Sequence, residues 1–141
     1  MRTSSLKACL VLVPLILAGV AQAQDSLTVP FSPGPQGGYP EGIAWNADAG
    51  AFFVSSLRGG QIGLVSPNGE YTTFSNDRRL ITTSGIVVDA ERNRVLICNE
   101  DVGISSKSSD GTRTRVAQVV EFDLDTGAVR HVHDFSSLTS G

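Results

Sequence analysis

Apolar and polar positions along this chain fall into short runs cut by turn residues, and no stretch keeps a helical period. Ala51 to Ser56 is an apolar and aromatic run, and Gly59-Gly60 breaks it. Gln61 to Ser66 then alternates, Pro67-Asn68-Gly69 turns the chain, and Glu70 to Phe74 returns. With Tyr39-Pro40-Glu41-Gly42-Ile43-Ala44-Trp45 ahead of them, these runs predict a meander of three or four short antiparallel strands. Upstream, Asp25 to Gly38 is rich in Pro and Gly. Its extended piece Leu27 to Phe31 is expected to be an edge strand or an arm lying on another element, because Pro30 brings no backbone N–H to a ladder.

The same grammar then repeats. Gly42-Ile43 recurs as Gly85-Ile86, 43 positions on, and Phe53-Val54-Ser55-Ser56 falls on Leu96-Ile97-Cys98-Asn99 at the same spacing. An insertion, Asp101 to Thr114, follows in the second copy, and the pattern resumes where Gln118-Val119 matches Gln61-Ile62. A repeat of this length with four strands per copy is the signature of a β-propeller blade. The expected fold class is therefore all-β, an incomplete β-propeller made of four-stranded antiparallel meanders. The expected divisions are a leader at 1–23, an N-terminal arm at 24–38, and a partial propeller at 39–141 with blade copies at about 39–80 and 81–138. The second copy ends where a third would begin, so the chain reads as the N-terminal part of a longer propeller. Two blades on their own would leave long edges and an uncovered apolar face.

Composition narrows the function classes. Arg2 and Lys7, the apolar run Ala8 to Val20, and Ala21-Gln22-Ala23 read as a secretory signal peptide cut after Ala23. The run is shorter than the roughly 20 apolar residues of a membrane-spanning helix, so a secreted or periplasmic protein is expected, with no membrane partner after cleavage. Removing Arg2 and Lys7 makes a net charge of -3 more negative still. That acidity argues against nucleic acid as a partner. Cys98 is then the only cysteine, which excludes an internal disulfide and cysteine-based zinc sites. Within its apolar run it is expected to be an inert core residue.

Pro40-Glu41-Gly42-Ile43-Ala44-Trp45, followed by Ala51 to Ser55, resembles the opening of the six-bladed propellers grouped as senescence-marker, gluconolactonase and luciferin-regenerating-enzyme-like proteins. Gly85-Ile86-Val87-Val88-Asp89 resembles the blade motif these share with NHL-repeat propellers. The resemblance implies two blades out of six and a metal-dependent hydrolase of lactone-type esters. The cation would be calcium or magnesium on the propeller axis, with Glu41 as a ligand. In the hydrolases the opening reads Gly-Glu-Gly-Pro-x-Trp. Here Pro40 replaces the first Gly and Ile43 replaces the Pro. Their second motif, Arg-x-Asn-Asp-Gly, aligns with Thr82 to Ile86, so its Arg and Asn are absent, and the remaining ligands would lie beyond Gly141. The alternative is a non-catalytic propeller that binds a small molecule, a glycan or a protein.

Other chemistry is sparse. Asn99-Glu100-Asp101 closes the inner run of the second copy, and Asn99 is the second candidate for a metal-ligating residue. His131 and His133 share one side of an outer strand and are expected to be a solvated surface pair. Asp123-Leu124-Asp125-Thr126-Gly127 lacks the later Glu of a calcium loop and reads as a strand followed by a turn. There is no Gly-x-Ser-x-Gly elbow and no Gly-rich phosphate loop. The residues themselves assign no catalytic group.

Overall fold

A computed structural model describes residues 28–33 and 38–138. The expected signal peptide and its cleavage point lie outside the described residues. Each repeat forms one sheet. β1 (Pro40–Asn46), β2 (Ala51–Ser56), β3 (Ile62–Val65) and β4 (Tyr71–Ser75) make the first; β5 (Thr82–Asp89), β6 (Arg94–Glu100), β7 (Ala117–Asp123) and β8 (Val129–Asp134) make the second. Both are antiparallel meanders with neighbours in chain order. Two short 3-10 turns, Ala90–Arg92 and Ser136–Leu138, are the only helical pieces among the described residues.

The repeat is visible in the register as well as in the residues. In the first sheet the β1–β2 pairing shifts between Pro40 and Ile43; in the second the β5–β6 pairing shifts between Thr83 and Ile86. The bulge therefore falls at the same point of each copy, and it holds Glu41-Gly42 in one and Ser84-Gly85 in the other. Bulges bend a strand and re-aim its side chains. The sheets are the two adjacent blades that the 43-residue spacing predicts.

The blades pack face to face, with β1 beside β5 and β2 also touching β5. Phe53, Ile62, Leu80, Val95, Ile97, Val120 and Phe122 form one buried cluster between them. Removing a large apolar side chain from water is worth about 1.5–3 kcal/mol, so this layer supplies the main cohesion. Phe74 bridges it: its ring meets Phe53 edge-on at 4.8 Å and Phe122 at 6.5 Å. Such edge-to-face pairs add to the burial of area alone.

The inner end of the same interface is polar and closely fitted. Gly42 N donates to Ser55 Oγ at 2.8 Å, and the Ser55 hydroxyl in turn donates to the carbonyl of Ser84 on the neighbouring blade. One step outward, Thr83 Oγ1 accepts from Ser56 N at 2.8 Å and shares its proton between Ser56 O and Gln61 O. A side chain at Gly42 would run into the Ser84 carbonyl oxygen and Ile86. Only glycine lets β1 and β5 come this close.

The second face is open on blade two and partly covered on blade one. On β6, Val95, Ile97 and Asn99 point into the interface, which turns Cys98 outward: the thiol is exposed and sits beside Gly85. The sequence expectation of a core cysteine is corrected here. A strand alternates its side chains across two faces, and only one face of β6 is covered. On the first blade, residues 28–33 form no strand and lie as an arm across the second face, where Val54 and Val65 are buried. Phe31 stacks on Tyr71 with ring centroids 6.2 Å apart. Val29 and Phe31 line a 230 Å³ apolar cleft with Ile43, Phe52 and Val54.

The Gly42 contact leads to a direct test. Gly42→Ala is expected to lower stability by about 1–3 kcal/mol, the usual cost of overpacking a fitted site, read as a lower urea midpoint. Gly50→Ala has open space around its Cβ but a left-handed φ of 57°, so its cost is backbone strain alone, about 1 kcal/mol. Equal losses at the two positions would show that the β1–β5 approach is not tight.

Candidate functional site

One rim of the blade pair collects every connection that could hold chemistry. The start of β1, the β2–β3 loop at 57–61, the β4–β5 turn at 76–81 and the long β6–β7 loop at 101–116 all leave the sheets at this end. Tyr39 opens the rim. It takes a left-handed φ of 60° directly before Pro40, where a bulky residue is strained. Its carbonyl accepts from Leu57 N at 2.9 Å, which holds the strained residue in place, and its side chain is 60% exposed.

The insertion of the second repeat is an ordered clasp, not a free loop. Asp101, only 2% exposed, is its centre. Its carboxylate accepts from Gly103 N at 2.8 Å, Ser108 Oγ at 2.6 Å and Thr112 Oγ1 at 2.7 Å. Burial pushes the Asp101 carboxyl up. The hydrogen bonds from Ser108, Thr112, Gly103 and Ser109 outweigh it and hold the group below the usual Asp range. The far side of the loop docks on the first blade. Ser105 Oγ, Ser106 Oγ and Ser106 N all reach Arg58 O, and Lys107 Nζ donates to Gly60 O at 2.8 Å and Asn76 Oδ1 at 2.9 Å. Burial lowers the Lys107 ammonium, offset in part by Asp77.

Glu41 stands on this rim within the β1 bulge, exposed, with no hydrogen bond or ion pair to another described residue. Asn99 is placed differently. It is 1% exposed, and its amide clamps the 79–81 turn. Oδ1 accepts from Ile81 N at 2.8 Å, and Nδ2 donates to Arg79 O at 3.0 Å and Gln118 Oε1 at 2.9 Å. Both amide protons are used and the carbonyl already has a donor, so Asn99 acts as a fold clamp. Among the described residues no three His, Cys, Asp or Glu side chains converge where a metal ion could be held. Calcium and magnesium need several oxygen ligands around one point. Glu41 offers one, and the donors present do not make a cage. Ser84, the counterpart of Glu41 in the second repeat, is committed through its carbonyl to Ser55.

The other sequence candidates lie away from the rim. His131 and His133 are exposed on β8, their rings 6.3 Å apart on one face. Asp123 caps the β7–β8 turn by accepting from Thr126 N, Thr126 Oγ1 and Asp125 N, and it pairs with Arg130. What sequence reasoning missed is the role of the buried hydroxyls. Ser55, Ser56 and Thr83 stand inside otherwise apolar strands, and that anomaly was the available signal.

No family model matches this chain, and no curated protein matches it. Among solved structures it is similar to a chain in a crystal structure of a nidogen/laminin complex, with a TM-score of 0.51 and 16% sequence identity. The match covers 66% of this chain but only 31% of that one. That neighbour is propeller-like. At this identity the likeness speaks for the fold alone, and the fold it supports is the propeller type that the two blades already show.

One test follows from the clasp and another from two turn carboxylates outside it, Asp77 and Asp123. Asp101→Ala strands three donors, and hydrogen bonds to a charged group are worth roughly 1.5–3 kcal/mol. The 101–116 loop of this variant should open and be cut by trypsin at Lys107, Arg113 or Arg115 faster than the native loop, as read by mass spectrometry. Acid should weaken the fold in a defined window. Asp77 is held at about 2, chiefly by its hydrogen bond from Arg79, and Asp123 at about 2, chiefly by the Thr126 backbone N–H. Folded values below the unfolded value of about 3.9 mean that this stabilisation is complete above that pH and is lost as pH falls towards about 2. The melting temperature should therefore stay level down to about pH 5 and drop below about pH 4; a drop that begins near neutral pH would show that these two carboxylates do not set the acid sensitivity.

Proposed function

We propose that the chain supplies two blades of an exported β-propeller that binds a small-molecule or glycan ligand on the rim around Glu41, without catalysing lactone hydrolysis through its own residues. The observation that carries this reading is the setting of Glu41. It is an exposed, unpaired carboxylate beside the strained and exposed Tyr39, and it belongs to no group of three acid, imidazole or thiol side chains among the described residues. A free carboxylate accepts hydrogen bonds from hydroxyl-rich ligands, and an exposed tyrosine ring offers an apolar face with a polar tip. Hydrolysis of an ester needs a polarising cation or donor set and a placed base. The described residues supply a single candidate ligand.

The second reading is the lactone hydrolase of the senescence-marker and gluconolactonase group, with calcium or magnesium bound through Glu41. Its support is the opening motif and the position of Glu41 at the start of an innermost strand. The ligands it requires beyond Glu41 would come from outside the described residues. Export rests on the leader-like residues 1–23.

Calcium titration separates the two. On the binding reading, calcium leaves the melting temperature unchanged in the native chain and in Glu41→Gln alike, and glucono-lactone is hydrolysed no faster than in buffer by pH-stat. A calcium-dependent rise in melting temperature that disappears in Glu41→Gln would replace the binding reading with the metal-dependent one.

A further inference from the structure

Both histidines of this chain stand side by side on β8. His131 and His133 are two residues apart, and a strand sends such side chains to the same side. An antiparallel strand sets their Cα atoms about 7 Å apart. Both side chains are exposed, with ring centres 6.3 Å apart and ring planes inclined at 42°. The backbone beneath them is held in a ladder. His131 pairs with Glu121 and His133 with Val119, in a register unbroken from Asp134 to His131. The spacing of the two imidazoles is therefore set by the sheet before any ligand arrives, which lowers the entropic cost of holding one.

We propose that His131 and His133 chelate one divalent late first-row transition ion, copper(II) most tightly, on the outer face of β8. Such an ion takes imidazole nitrogens at about 2.0–2.1 Å, which puts the centres of two rings on one ion about 5 Å apart. Small turns of the exposed side chains close the difference, because χ2 of histidine is a broad torsion. Two imidazoles fill two positions and water fills the others. Nitrogen ligands favour copper over nickel and zinc in the usual order of divalent ions. The surrounding charges suit a cation. Glu121 lies directly across from His131, and the cations nearby are already engaged: Arg94 lies between Asp89 and Glu121, and Arg130 is turned to Asp123 and the Arg92 carbonyl. Cys98 does not join the pair. Its sulfur lies against Gly85 of β5, on the side of β6 away from β7 and β8. Calcium and magnesium prefer oxygen ligands, so this site differs from Glu41 in place and in chemistry, and it holds whichever reading of the rim is right.

The test uses the untagged chain, in which every imidazole belongs to this pair. Calorimetric titration with copper(II), nickel(II) and zinc(II) should show one ion per chain, with copper bound most tightly. Electron paramagnetic resonance of the copper-loaded chain should show hyperfine coupling to two imidazole nitrogens. His131→Gln and His133→Gln should each lower copper affinity about 100-fold, the gain that a second tethered donor brings, and each should lose the two-nitrogen pattern. Both positions are exposed, so the metal-free melting temperature should match that of the native chain. Glu41→Gln should leave copper binding unchanged. A native chain whose bound copper shows fewer than two imidazole nitrogens would overturn the proposal. So would copper affinity that is unchanged in either histidine variant.

Discussion

The approach of β1 to β5 is the constraint on which the other features depend. Two strands of neighbouring blades can sit this close only because Gly42 has no side chain and because Ser55 converts the approach into hydrogen bonds, taking one proton from Gly42 N and giving its own to Ser84 O. Buried polar groups must be paired or they destabilise the fold. The seam therefore fixes the blades' relative position more sharply than the apolar layer behind it can. The shifted register at 40–43 and 83–86 follows, because the strand has to bend to bring the glycine to the contact. Glu41 is carried on that bend. Its place on the rim is thus a by-product of how the blades are joined.

Much of this architecture was legible in the residues, for a physical reason. Turn chemistry at Gly59-Gly60 and Pro67-Asn68-Gly69, and a 43-residue recurrence of Gly-Ile and of a four-residue strand, give strand positions and their grouping without any knowledge of partners. Which face of a strand is covered was not legible. Val95 to Cys98 is apolar on both sides of its strand, so alternation carries no sign. Cys98 was read as core for that reason, and the structure turns it outward because its side of β6 has no neighbour. Asn99 shows the opposite difficulty. A polar residue at a strand end looks like a ligand until its three protein partners are seen, and those come from residues 79, 81 and 118, far off in sequence.

The insertion shows how a long loop becomes structure without a core of its own. Its apolar content is small and Val102 and Ile104 are exposed. What orders it is one carboxylate: Asp101 collects donors from residues 103, 108 and 112 and folds the segment around itself. Ser105, Ser106 and Lys107 then spend their donors on the carbonyls of the 58–60 loop, so the second blade reaches back over the first. Small hydroxyl side chains suit this task because they bridge backbone groups at little entropic cost. The rim is thus tied at the 58–60 loop, next to Leu57, whose N–H holds the Tyr39 carbonyl at the start of β1.

Edges and faces are treated differently in this molecule, and the difference bears on how it meets other chains. The outermost strand of the second sheet, β8, carries Arg130, His131, His133 and Asp134 and is exposed almost throughout; β4 presents Thr72 and Thr73. Charged and polar edge strands discourage a further strand from adding. The faces have no such protection, with Trp45 and Ile43 open on one and Val87 on the other. Growth by strand addition is therefore disfavoured while stacking by faces is left open. Stacking by faces is also the contact the chain has already made once, between its own two repeats, with the same glycine at the point of closest approach.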